Sequence, residues 1–236
     1  MPDFFETIYT ERAADYDRLV AREDYQHNIL RALSSSHPLA GSDVVEMGAG
    51  TGRLTRLLAP RVKSILACDR SKAMLDVAAD HLKESSLDNW RLVVADNRRL
   101  PVADGVADIS IAGWSFGHST GWQPRTWPDE IDRAVAQMRR VLRPGGTAII
   151  LETLGTGRET PQPPTDALAA YYQLLEEKYG FVQSWIRTDY RFESPAEAEE
   201  LTRFFFGDAL ADRVARDGLV IVPECTGVWA LTVWGG

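Results

Sequence analysis

Hydrophobic and polar positions follow two periods along the chain. Residues 3–33 read as helical, with Tyr9, Tyr16, Leu19, Ile29 and Leu33 spaced among charges, and Ser34–Pro38 breaks the pattern. Short apolar runs then alternate with amphipathic stretches. Asp43–Met47 ends at Gly48 and reads as a buried strand, and a helix follows from Arg53 to Ala59. Ser64–Cys68 ends at Asp69, and Ser71 is placed to cap a helix that runs through Lys83. Trp90–Val94 ends at Ala95-Asp96-Asn97, and Val106–Ala112 ends at Gly113-Trp114. Asp129–Leu142 has helical spacing of Ile131, Val135, Met138, Val141 and Leu142, Pro144-Gly145-Gly146 stops it, and Thr147–Glu152 is a fifth strand.

These five runs lack polar alternation, which predicts a parallel sheet covered on both faces, with right-handed crossovers. The last third differs. A Gly/Pro/Thr loop spans 155–164, Asp166–Lys178 and Pro195–Asp217 read as helices, and Gln183–Phe192 and Cys225–Trp234 read as extended. The two extended segments predict two further strands at the sheet edge.

With 236 residues, 44% hydrophobic and 25% charged, the chain suffices for one large α/β domain. A net charge of -8 supplies no field for phosphate backbones, so a small-molecule partner is expected and nucleic acid is not. Cys68 and Cys225 form no CxxC, which fits a reducing, cytoplasmic setting. The four His and two Cys show no metal-ligand spacing. No signal peptide is evident, and no run approaches the roughly 18–20 apolar residues of a membrane span, so membrane insertion is not expected. Oligomeric state stays open.

The first strand runs into Gly48-Ala49-Gly50-Thr51-Gly52 and then a helix. Glycines permit a tight turn and close ligand approach, and the helix beyond presents unpaired N–H groups. A dinucleotide G-x-G-x-x-G would place glycine where Arg53 stands; here the third glycine comes one residue early, and a bulky Arg is expected to disturb close helix–strand packing. An NAD-dependent oxidoreductase therefore loses ground without being removed. No Gly-Lys-Ser/Thr follows, so a Walker A loop fails. Asp69, 19 positions after Gly50, is placed to accept from both hydroxyls of a ribose.

Val45–Gly52 resembles motif I of the class I S-adenosylmethionine-dependent methyltransferases, with Glu46 as the acid before the glycines. Ala67–Leu75, Ala95–Pro101, Asp108–Ser115 and Arg139–Gly146 resemble that family's next four segments in order. The resemblance covers residues 40–155, and the flavour is that of the ubiquinone/menaquinone-type and small-molecule methyltransferases. It implies a Rossmann-like α/β fold: a seven-stranded, mostly parallel sheet with an antiparallel last strand and helices on both faces. Within a single domain of residues 1–236 it implies an N-terminal helical cap (1–40), a cofactor-binding core (41–155) and a substrate side (156–236).

The implied cofactor is S-adenosyl-L-methionine, with S-adenosyl-L-homocysteine as product. Gly48, Ala49 and Gly50 are expected beside its methionine part, and Glu46 at its ammonium. Asp69 is expected at the ribose, Arg70 and Met74 along the adenine, Asp96 at the adenine amine and the Asn97 backbone at the ring. Trp114 is expected near the transferred methyl, and Tyr16-Asp17 stands where a Tyr-Asp pair closes over the cofactor in many members. Methyl transfer needs mainly in-line positioning, and an O- or N-acceptor adds a base. His118 is the candidate base, with Glu152 a second; each has a plain counterpart, a backbone-bonded loop histidine and a solvated acid. No Asn-Pro-Pro-Tyr follows the fourth strand. Among Tyr171, Tyr172, Tyr179, Phe181, Trp185, Tyr190, Phe192 and Phe204-Phe205-Phe206, a few are expected to line an apolar acceptor pocket, and Arg187, Arg191 and Arg203 are candidates to meet an acidic acceptor. Trp122, Trp127 and the 155–164 loop are candidate lid elements. A non-catalytic S-adenosylmethionine-binding regulator on this fold remains the non-enzymatic alternative.

Overall fold

The computed structural model describes residues 4–234, with side chains from residue 7. Positions 1–3 and 235–236 of the expected domain, including the first position of the 3–33 helix, lie outside the described residues. The chain forms α1 (Phe4–Glu11), α2 (Ala13–Val20), α3 (Asn28–Ser36), β1 (Asp43–Met47), α4 (Arg53–Leu58), β2 (Ser64–Asp69), α5 (Lys72–Lys83), β3 (Trp90–Val94) and β4 (Ala107–Gly113). Then come α6 (His118–Trp122), α7 (Trp127–Arg140), β5 (Leu142–Thr156), α8 (Asp166–Glu177), β6 (Val182–Arg187), β7 (Tyr190–Arg191), α9 (Pro195–Phe206), α10 (Asp208–Asp217), β8 (Ile221–Val222) and β9 (Glu224–Thr232).

Seven strands make one sheet in the order β3-β2-β1-β4-β5-β9-β6, and β7 and β8 form a separate ribbon. β1 to β5 pair in parallel, and β9 runs antiparallel to both β5 and β6. The expected antiparallel last strand is present, although it lies between the fifth and sixth strands and not at the edge. Alternate positions in β1 feed opposite faces. Val45 and Met47 join Ile131, Val135 and Met138 of α7 and Tyr171 of α8, whereas Val44 joins Ile29 and Leu33 of α3 and Leu54 and Leu58 of α4. Sheet order reverses between β1 and β4, which opens a crevice at the strand C-termini. No helix among the described residues is long and apolar enough to cross a membrane.

The extended segment Gln183–Phe192 is divided between β6 and β7, and three further boundaries differ from the periodic reading for a local reason. The 3–33 segment is three helices. Asp24 and His27 adopt φ of +60° and +58°, and the Asp24 carboxylate accepts from Asn28 N and Ile29 N at 2.8 and 3.0 Å, starting α3 anew. Gly207, at φ +86°, divides Pro195–Asp217 into α9 and α10. β5 begins at Leu142, because Arg143–Gly146 is taken up as a bulge: Ala107 pairs with Leu142 and Ile109 with Thr147.

Candidate functional site

The glycine turn is tied to the end of β2. Gly48 N and Ala49 N donate to Cys68 O at 2.8 and 2.9 Å, and Gly50 N donates to Asp69 Oδ2 at 2.8 Å. Asp69 Oδ1 accepts from Ser71 N at 2.7 Å. Burial raises the Asp69 carboxyl, and the N–H groups of Ser71 and Gly50 oppose the rise. Gly48 has φ +74°, and a Cβ there would lie 1.9 Å from Ser115 Oγ, so the loop after β4 closes directly on the turn. Gly52 carries the close helix packing: its Cβ would meet Ala78 Cβ of α5 at 2.9 Å. Arg53 therefore disturbs nothing. Its guanidinium lies 4.0 Å over the Trp114 ring and pairs with Glu23 Oε2 at 2.6 Å.

A cavity of about 160 Å³ follows this turn. Tyr16, Glu46, Gly48, Ala49, Gly50, Asp69, Arg70, Met74, Asp96, Asn97, Trp114 and His118 all line it. The segments named in the sequence thus converge, each from a strand end or the helix that follows. Glu46 is 1% exposed, and its Oε2 accepts from Thr55 Oγ1 at 2.6 Å. Burial pushes this carboxyl up to about 8, the Thr55 bond holding it back. Asp96 is engaged by Arg98, which also joins Glu130; Arg98 holds its carboxyl below the usual range. Its expected role at an adenine amine must share the carboxylate with that guanidinium. Asn97 Nδ2 donates to Ser115 Oγ at 3.0 Å, and its buried Oδ1 has no partner. Arg70 lies 4.6 Å over the Trp122 ring. Trp114 holds φ +49°, a conformation rare for a bulky side chain and of the kind retained at ligand sites.

The N-terminal helices cover this cavity. Ser71 Oγ donates to Tyr9 O at 2.9 Å, and Asp17 Oδ2 meets His81 Nε2 at 2.7 Å, so α1 and α2 are pinned to α5. Asp17 is thereby a clamp, and Tyr16 alone of the Tyr-Asp pair lines the cavity. Burial raises the Tyr16 hydroxyl to about 12. Tyr9 Oη and His118 Nε2 are hydrogen-bonded at 2.9 Å, and His118 stacks on Trp122 at 4.9 Å.

A second cavity, about 840 Å³, shares Tyr9, Tyr16, Arg53, Trp114, His118 and Trp122 with the first. Of the C-terminal aromatics, Tyr190, Phe205 and Phe206 line it, as do Pro164 and Thr165 at the end of the loop. Glu152 also lines it and is only 4% exposed, not a solvated acid; its Oε1 accepts from Gly117 N at 2.8 Å. Arg187 and Arg203 pair with neighbouring acids, Arg191 lies over Tyr25, and none of the three reaches this chamber. Trp127 packs edge-on against the buried Tyr171 and is no lid. Sequence reasoning missed Tyr9, Glu23 and Glu224 as wall residues, because their partners lie far away in the chain.

Comparison with known proteins matches the cavity-forming stretch, residues 44–146, to a family model described as a methyltransferase domain. That match takes in the glycine turn, Asp69, Asp96 and Trp114 and leaves the N-terminal helices and everything after Gly146 outside it. Among curated relatives, the malonyl-[acyl-carrier protein] O-methyltransferase of Serratia marcescens is 28% identical over 64% of this chain and 52% of its own length. The demethylmenaquinone methyltransferase of Staphylococcus epidermidis is 31% identical over 62% and 59%. This chain thus spans little more than half the length of these relatives. The same fold is found in the YcgJ protein of Bacillus subtilis, with TM-score 0.62, 15% identity, and 90% of this chain and 100% of that one covered. A SAM-dependent methyltransferase from Aquifex aeolicus also shares it, with TM-score 0.54, 16% identity, and coverage of 86% and 89%. The residues of the first cavity fit S-adenosylmethionine. Glu46 is a buried acid without a cation, Asn97 Oδ1 is an orphaned acceptor, and the Gly48–Gly50 backbone is open to close approach.

Proposed function

We propose that this protein is an S-adenosylmethionine-dependent methyltransferase that acts on a small-molecule acceptor held in the second cavity. The observation that carries the reading is the wall shared by the two cavities, where Trp114 and His118 face both. The cofactor would supply a methyl group on a sulfonium, already activated for in-line displacement. The chain's task is then to bind, orient and keep out water.

Glu46 would pair with the cofactor ammonium and return to its ionised form on doing so. Asp69, already fixed by two backbone N–H groups, keeps outward lone pairs for the ribose hydroxyls. Arg70, Met74, Asp96 and Asn97 would bound the adenine, and Tyr16 would close the site from above. Trp114, held by Arg53, sets the partition between the cavities. His118 stands at that partition, where an acceptor proton would be taken up, and the Tyr9 hydroxyl fixes its ring. An acid-lined chamber and the net charge of -8 support a small molecule over nucleic acid. Two free, buried cysteines support a cytoplasmic setting.

Thermal unfolding with and without S-adenosylhomocysteine tests the reading. Saturating ligand is expected to raise the midpoint, and Asp69→Ala to remove the rise. An unmoved wild-type midpoint would refute it.

A further inference from the structure

The second cavity has an unusual charge balance for an apolar chamber. Its ionisable walls include three carboxyls, Glu23, Glu152 and Glu224, against one guanidinium, Arg53. Arg53 pairs with Glu23 through Nη1, and its Nη2 is buried without a hydrogen-bond partner. Glu152 has its own donors, Gly117 N and the Tyr171 hydroxyl. Glu224 is less well supplied: its Oε1 accepts from Thr153 Oγ1 at 2.7 Å and the Thr156 hydroxyl lies beside the carboxyl, but its buried Oε2 makes no well-formed hydrogen bond. Glu23 Oε1 is likewise buried and unpartnered. Glu224 is 2% exposed, so water does not supply the missing donor freely. Tyr16, Trp114, Tyr190, Phe205 and Phe206 present aromatic surface to the same space.

Buried carboxyl oxygens without donors, set among ring faces, are complementary to an ammonium group: it brings donors to the oxygens, and its charge is attracted to the rings. A carboxylate or phosphate ligand would instead face three acids, with the Arg53 Nη2 as the one guanidinium donor left to it and that donor set against Glu23. The geometry points to an acceptor that carries a protonated amine, with its ammonium seated at Glu224 beside Glu23 and its apolar body against the aromatic wall. This rests on the second cavity being the acceptor chamber.

In the free protein, burial and the nearby Glu23 hold the Glu224 carboxyl well above the usual range, with the hydroxyls of Thr156 and Thr153 opposing. The other titratable groups that face it are Arg53 on α4, Tyr190 on β7, Tyr172 on α8 and the adjacent Cys225. An ammonium arriving at neutral pH therefore expels the Glu224 proton, so binding and proton release are coupled.

Calorimetric titration of the S-adenosylhomocysteine-saturated protein with 2-phenylethylamine, 2-phenylethanol and phenylacetate tests this. The amine is expected to bind at least about tenfold tighter than the alcohol or the acid. In buffers of different ionisation enthalpy at pH 7, its binding is expected to release on the order of one proton. Glu224→Gln is near-isosteric with the neutral acid and keeps an acceptor for Thr153, so it should fold. It is expected to lose about tenfold or more in amine affinity and the proton release, with S-adenosylhomocysteine binding unchanged. No amine binding, equal or tighter phenylacetate binding, or amine binding without proton release in the wild type would overturn the proposal. S-adenosylhomocysteine is titrated first on the same samples. Failure there refutes the methyltransferase reading, whereas a normal response followed by indifference to the amine refutes only the present inference.

Discussion

Replacing Glu152 by glutamine should flatten part of the protein's pH–stability curve. Burial, opposed by the Gly117 N–H and Tyr171 hydroxyl, raises the Glu152 carboxyl from 4.5 to about 8. The folded value lies above the unfolded one, so the folded state holds the extra proton between them. The residue's contribution is complete below about pH 4.5 and is lost as pH rises through 8. At about 1.4 kcal/mol per pH unit, the total over this window is on the order of 5 kcal/mol. The substituted side chain has no proton to lose, and its amide oxygen still accepts from Gly117 N. Urea unfolding of ligand-free wild type and Glu152→Gln at pH 5.5, 6.5 and 7.5 checks this. The wild-type free energy should fall more steeply, by about 1.4 kcal/mol per pH unit, and the variant should be the more stable at pH 7.5. Glu46 is raised in the same direction and gives both proteins a common slope, so the difference isolates Glu152. Lines that stay parallel within about 0.5 kcal/mol would refute the reasoning.

Gly48→Ala adds a Cβ at 1.9 Å from Ser115 Oγ in a backbone at φ +74°. It should cost about 2–4 kcal/mol in urea unfolding and abolish the S-adenosylhomocysteine response, with Ser115→Gly in the same chain restoring only part of the stability. Arg53→Met strands the Glu23 carboxylate, whose side chain is 3% exposed, and should destabilise by about 3–5 kcal/mol. Combining it with Glu23→Gln should recover at least about half of that loss, and a purely additive double-mutant cycle would contradict the assignment.

Where the decisive signals were local, the sequence was readable. The turn at Gly48–Gly52, Asp69 at the end of β2 and the cap at Ser71 all lie within one short stretch, and each sits where its own neighbours place it. The same holds for Asp96, Asn97 and Trp114 at later strand ends. Arg53 was misread because packing closeness was assigned to the wrong residue: Gly52 makes the approach to Ala78, which frees Arg53 to enter the cavity. The breaks at Asp24 and Gly207 depend on positive φ, which periodicity does not register. Glu23 and Glu224 look like ordinary surface acids in sequence. They become buried only because residues nearly the whole chain apart share one chamber, as the Tyr190 hydroxyl bonded to Glu23 shows.

The placement of β9 sets an order of assembly. β6 pairs with β9 alone among the described strands, and β9 joins it to β5. While the chain emerges from the ribosome, the five parallel strands and the glycine turn can organise, but β6 stays without a partner until Glu224–Thr232 is made. Glu224 opens that strand. All the residues that line the first cavity are therefore present in a nascent chain before the second cavity receives Glu224. Closing the second cavity also brings together residues far apart in the chain, as Glu23 and Tyr190 are, and contacts of that kind are slow to form.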